Sequence, residues 1–297
     1  MILDNSTTKA QEYYTYPRKL ENYKWFKPIL TMLLTAVFYV IFIGVLTAIS
    51  MLLVSGSGSD PKDFIEAMSG GYDTMDVYSA PGALASLGTL GVFIPALFLA
   101  IKITKERPIA SIHSSRGGWN NRFFTRAILI ALVVNALPQI IIAAVEGGFK
   151  NFEIRYTVAG FIVFLIFLPL QCMAEEYAFR GFIGQTLGAW FKNPVVPIIV
   201  STICFMVLHG YNGIGQFGIF VSGLVFAMGA WYTKGLEVGC ASHIVNNWFT
   251  FFLSGIGVSR TTADVDIPGL IVDIAVNLAF IAGVIILDKK FHWFSEE

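Results

Sequence analysis

Cys172-Met173-Ala174-Glu175-Glu176-Tyr177-Ala178-Phe179-Arg180 closes a run that carries no charge from Thr157 to Ala174. An ionisable group at membrane depth costs about 2.5–3.5 kcal/mol on insertion scales. A chain that keeps two carboxylates and a guanidinium there has a use for them. Two further polar positions sit in later apolar segments, in Phe205-Met206-Val207-Leu208-His209 and in His243-Ile244-Val245-Asn246-Asn247. Helices can bring a glutamate pair and two histidines from three such segments to one place.

The 297 residues are 55% hydrophobic and 13% charged, with a net charge of zero; soluble domains carry about 25% charged residues. This composition gives an all-α, polytopic membrane helical bundle, and the neutral balance excludes a nucleic-acid partner. Cys172, Cys204 and Cys240 all lie in apolar segments and are an odd number, which argues for buried thiols rather than a disulfide framework. The first 27 residues are too polar, and the first apolar run too long, for a cleavable signal peptide. Tyr13-Tyr14-Thr15-Tyr16-Pro17-Arg18-Lys19 through Trp25-Phe26-Lys27 mixes aromatics with cations, as a cytoplasmic interfacial segment does.

A span needs about 20 apolar residues. Eight segments qualify: 28–54, 81–103, 123–145, 157–182, 194–212, 214–233, 235–256 and 268–288. With both termini inside, 16 of the 20 Lys and Arg fall on the cytoplasmic side, which supports an N-in, C-in orientation. Ser55-Gly56-Ser57-Gly58-Ser59 reads as a flexible outside loop. The chain divides into a cytoplasmic N-terminal segment (1–27), three first membrane helices with their loops (28–156), a core with the polar motifs (157–256), and a last membrane helix with a short tail (257–297).

Glu176 and Arg180 are spaced i, i+4 with the glutamate first, the favoured order for a helical ion pair. Glu175 lies about 100° round the helix, outside that pair, and is the carboxylate free to take a proton as a general base. His209 follows Phe205 by four residues on one helical face. His243 and Asn247 are also i, i+4 and can turn an imidazole N–H and a carboxamide N–H toward one oxygen, as an oxyanion hole requires. Taken singly, each motif has a plain structural reading: a helix-end ion pair, a satisfied core histidine, an interhelical hydrogen bond.

Together, Glu-Glu-x-x-x-Arg, Phe-x-x-x-His and His-x-x-x-Asn, in that order and each in its own apolar segment, resemble the CAAX-protease and bacteriocin-processing (Abi) family of intramembrane endopeptidases. The resemblance covers residues 157–256. It implies that Glu175 and His209 activate a water, that His243 and Asn247 stabilise the oxyanion, and that Glu176, Arg180 and Phe205 support them. It also implies a membrane-associated peptide or protein substrate and a bacterial plasma-membrane location. The family is described both as glutamate-dependent and as metal-dependent. Glu175, His209 and His243 would make a His₂Glu zinc set, but the helix-borne His-Glu-x-x-His is missing, and water activation without a metal cofactor is favoured over zinc.

A proton-coupled transporter is one competing class, disfavoured by the lack of an internal repeat. A non-catalytic scaffold or immunity and regulatory partner is another. Gly213-Ile214-Gly215-Gln216-Phe217-Gly218 matches a dinucleotide fingerprint only in letters, because it joins two membrane helices, and no nucleotide is expected. Asp273 stands alone in the last span, with Asn277 as a candidate neighbour, and Lys234 and Glu237 read as interfacial. One difficulty is depth. Counted along straight helices from opposite membrane faces, Glu175 and His209 end up about 20 Å apart in depth.

Overall fold

Residue patterning of this kind folds into helices throughout, as a computed structural model of the chain shows. It describes residues 12–58, 60–70, 75–260 and 262–295, and among these no strand occurs. Nine helices carry the architecture: α1 (Lys27–Gly56), α2 (Pro61–Gly70), α3 (Ala80–Thr104), α4 (Asn121–Val145), α5 (Val158–Phe191), α6 (Val195–Val207), α7 (Gly213–Thr233), α8 (Glu237–Gly255) and α9 (Ile267–Phe291). Six of them (α1, α3, α4, α5, α7 and α9) are long and apolar enough to cross a membrane. The chain is a multi-pass membrane protein. α1 shows why: Leu33, Val37, Val40 and Leu52 are all exposed, a distribution that suits lipid and not water.

Two of the eight expected spans differ from the rest. The segment 194–212 yields only the 13-residue α6, about 20 Å long and short of a 30 Å hydrocarbon core. It stops because Leu208 leaves the helix and Gly210 to Asn212 form a turn. α8 is too polar to count as a span by composition, and its residues from Glu237 to Val245 are all buried. It is a central helix walled by α4, α5 and α7, so it presents polar side chains to protein and not to lipid. α1 also continues through Ser55 and Gly56, and the expected loop begins only at Ser57.

α5 runs for 34 residues, about 50 Å, which exceeds the hydrocarbon core. From Tyr177 to Gly184 it opens into wider, i→i+5-bonded turns, a device that often marks functional segments. α5 and α6 form a hairpin through Lys192, whose φ of 60° makes the turn. Glu175 lies 17 residues before Lys192 and His209 lies 15 after Pro194. Measured from this shared turn, the two residues reach the same level, and the difficulty of depth disappears because α5 is longer than the hydrocarbon core is thick.

Part of the N-terminal segment packs into the bundle. Tyr13 and Tyr14 are fully buried; their hydroxyls donate to Ile112 O at 2.6 Å and Ala227 O at 2.9 Å. Gly188 and Gly184 on α5 make the seat: a Cβ at Gly188 would lie 2.4 Å from the Tyr14 carbonyl oxygen, and one at Gly184 2.7 Å from its ring. Residues 1–11 lie outside the described residues. The described ends and the basic loop meet at one end of the bundle, where Lys27 Nζ donates to Lys105 O and Arg126 Nη1 to Trp293 O. Glu237 is buried there too, accepting from Arg116 Nη2 at 2.6 Å and Asn120 N at 2.8 Å, because the loop 114–120 folds over the start of α8.

Candidate active site

The interior of α5, α6, α7 and α8 is organised by one buried ion pair. Arg180 Nη1 donates to Glu176 Oε1 at 3.1 Å, and both side chains are almost wholly buried. Arg180 Nη2 donates to Gly223 O on α7 at 2.8 Å. Its guanidinium lies over the Phe205 ring, 4.4 Å from the centroid, a desolvated cation–π contact. Gly223 permits this approach: a Cβ there would meet Arg180 Nη2 at 2.9 Å and Phe205 Cδ1 at 3.1 Å. Arg180 thus ties α5 to α6 and α7 through three kinds of contact.

The same Glu176 oxygen accepts from Nδ1 of His243 on α8 at 3.0 Å. The carboxylate, already held by Arg180, is the acceptor, so Nδ1 carries the proton and Nε2 is turned the other way. His243 is stacked on Phe226 (centroids 5.1 Å, planes 18° apart) and meets Phe205 edge-on at 5.9 Å. Its ring is therefore fixed on both faces and at one nitrogen.

Glu175 faces Nε2. Its Oε2 lies 3.6 Å from His243 Nε2 and 3.9 Å from His209 Nε2. His209 stands just beyond the end of α6, and its Nδ1 is 2.7 Å from Phe205 O. A carbonyl can only accept, so this Nδ1 also carries a proton, and Nε2 is the nitrogen turned toward Glu175. The His209 ring rests on Phe205 with centroids 4.5 Å apart. Glu175 Oε2 is buried with no hydrogen-bond partner among the described residues. Three polar atoms, from α5, from α8 and from the segment just after α6, thus converge on one point. The His209 side chain is 25% exposed and those of Glu175 and His243 are 11% and 5%, so the site opens on the His209 side.

Glu175 is not unpaired, contrary to expectation. Its other oxygen accepts from Gln171 Nε2 one turn earlier on α5. Gln171 is the residue that sequence reasoning missed; its i−4 spacing from Glu175 in an otherwise apolar run was the available signal. Gln216 Nε2 likewise donates to His209 O and holds the turn after α6. Asn247 is half-buried and lies one turn along α8 from His243, in reach of the Cys172 sulfur. Its Oδ1 accepts from Asn246 Nδ2 at 3.2 Å, which leaves its own N–H groups as donors. Among the described residues it makes no hydrogen bond to Glu175, His209 or His243. Asn277 is a neighbour of Asp273, as expected, but its Nδ2 binds the Asp273 backbone oxygen and Ser222 Oγ.

Residues 157–249 match the model of a protein family described as type II CAAX prenyl endopeptidase Rce1-like. The matched stretch holds α5 to the middle of α8, with every residue of the cluster. Over these residues the chain is similar to the CAAX prenyl endopeptidases. Among curated proteins it is similar to the uncharacterized protein YyaK of Bacillus subtilis (strain 168), 27% identical over 166 residues, 52% of this chain and 56% of the relative. The match therefore spans little more than half of that relative's length. No solved structure matches.

Two imidazoles and a carboxylate are the donor types of a catalytic zinc site, so Glu175, His209 and His243 have the right chemistry for one. As folded they are not a ready set: Glu175 Oε1 is held by Gln171, and among the described residues no three His, Cys, Asp or Glu are disposed to hold a metal ion.

Proposed function

We propose that the protein is an intramembrane endopeptidase that hydrolyses a peptide bond of a membrane-associated peptide or protein, with Glu175 and His209 activating the water. The observation that carries this reading is the convergence of Glu175 Oε2 with Nε2 of both histidines. Proteins bury carboxylates with hydrogen-bond donors, and Glu175 Oε2, buried without one among the described residues, is suited to a molecule that brings its own protons. A water donating to Glu175 Oε2 and His209 Nε2 is held with its lone pair free. Its oxygen attacks the scissile carbonyl carbon and one proton passes to Glu175.

The oxyanion that forms is met by N–H groups of Asn247 and by Nε2–H of His243, which enters the cycle carrying a proton on each nitrogen. Glu176, paired with Arg180, faces that imidazolium through Nδ1. Glu175 then returns its proton to the amide nitrogen, the C–N bond breaks, and an amine and a carboxylate leave. Gln171 orients Glu175, and Phe205 carries both imidazoles and the guanidinium. Oxyanion donors and a positioned base each contribute about 10²–10⁴-fold in rate.

Purified protein in detergent, assayed on quenched and lipidated peptides, tests this. Cleavage by the wild type that disappears in both Glu175→Gln and His209→Ala supports the reading. Cleavage that survives in both variants removes these residues from the chemistry.

A further inference from the structure

Asp273 is the only ionisable residue between Asp266 and Asp288 of the last helix. It sits in the second turn of α9, and its side chain is exposed on the apolar surface of the bundle. Among the described residues it has no basic partner. Its position is nonetheless built: Oδ2 packs into the crease with α7 at Gly218, where a Cβ would lie 3.3 Å from it. Beneath it Asn277 Nδ2 binds both the Asp273 backbone oxygen (2.8 Å) and Ser222 Oγ (3.0 Å), fixing α9 against α7.

One turn earlier on α7, Tyr211 packs in the same way over Gly215, with its ring against the space a Cβ would fill. The Tyr211 ring is 6.3 Å from that of His209. Gly215 and Gly218 lie one turn apart on α7, so the polar groups follow one another as a track from His209 through Tyr211 to Asp273, on the side where the site is open. A carboxylate kept on an apolar surface at the end of such a track calls for a positive partner.

We infer that Asp273 is a specificity-determining residue, which receives a cationic side chain, lysine or arginine, of a substrate peptide a few residues from the scissile bond, with Tyr211 lining the way. This rests on the proteolytic reading of the Glu175 site and adds a preference that the reading alone does not give. A peptide in extended form advances about 3.3 Å per residue, so the preference should depend on the position of the cation along the chain.

The test is binding, read by fluorescence anisotropy on the full chain in detergent. The probes are labelled transmembrane peptides in which one Lys, or Gln as its match, is moved through six central positions. The wild type should bind the Lys peptide roughly tenfold tighter than its Gln match at one or two positions. Asp273→Asn should erase that ratio, and Asp273→Lys should favour a Glu-bearing peptide instead. Equal affinities in the wild type, or a Lys preference that persists in Asp273→Asn, would overturn the inference. Cleavage of the same peptides is followed in parallel. A Lys preference that depends on Asp273, without any cleavage, would count against proteolysis and still support the cation subsite.

Discussion

His243 Nδ1 lies 3.0 Å from Glu176 Oε1, and this one bond sets the direction of the imidazole. The ring cannot rotate without breaking it, because Phe226 and Phe205 close its two faces. Nε2 is thereby presented to Glu175. Of the two adjacent glutamates, one aims the histidine and the other faces the aimed nitrogen.

Replacing Glu175 and replacing Glu176 should therefore have different consequences. Glu175→Gln keeps the bond to Gln171 and the shape of the site but cannot accept the proton of the water. We expect cleavage to fall by at least about 100-fold with a melting temperature near that of the wild type. Peptide cleavage and thermal unfolding in detergent, measured side by side, check both parts.

Glu176→Gln and Arg180→Ala break a buried pair, and each leaves a partner without its counter-charge. Such losses cost about 3–5 kcal/mol. Both variants should unfold at lower temperature. Arg180→Lys should rescue little, because an ammonium lacks the fork that reaches Glu176 and Gly223 O at once. Near-wild-type thermal stability of Arg180→Ala would contradict this account of the core.

Gly223→Ala probes the same contact from the other helix. The added methyl meets Arg180 Nη2 at 2.9 Å and Phe205 Cδ1 at 3.1 Å, and overpacking of this kind costs about 1–3 kcal/mol. The shift should reach both histidines through Phe205. Reduced stability together with reduced kcat is the expected result. A loss of stability alone would show that Phe205 does not couple the two.

His113 predicts a pH effect outside the membrane helices. It ends the short helix Ala110–His113, beside Tyr177 of α5, and burial holds its imidazole below the ordinary value. A depressed histidine is neutral when folded and binds its proton more readily when unfolded. Its contribution to stability is complete above the unfolded value of about 6.5 and declines as pH falls below it. Melting temperatures between pH 7.5 and 5 should fall less in His113→Phe than in the wild type, and identical slopes would refute this.

Chelation separates two routes to the activated water. Cleavage by the Glu175–His209 route should persist in EDTA or phenanthroline. Loss with chelator and recovery with zinc would make Glu175, His209 and His243 ligands.

Much of the site can be read in the sequence because its spacings are those of single helices. The i, i+4 relation of Glu176 and Arg180 is local and forms as read. His209, expected on the helical face of Phe205, instead lies beyond the helix end at Val207, and its ring binds back to the Phe205 carbonyl. Gln171 obeys the same rule and was overlooked only because it carries no charge. The burial of Tyr13 and Tyr14 could not be read. Their partners Ile112 and Ala227 are 99 and 213 residues away, and the glycines of their seat look like any other small residues in α5. The polarity of α8 obscured a different fact, that a central helix needs no lipid-facing surface.

The short α6 has a consequence for the bilayer itself. Val195, Ile199, Ile203 and Val207 face outward, so lipid must lie alongside a helix that rises only about 20 Å. Where a span is too short, the bilayer thins or water follows the polar turn inward. Either response would dent the membrane beside Gly210 and Asn212 and bring solvent toward the level of His209. On the proteolytic reading, the length of one helix would then supply the site with its second reactant.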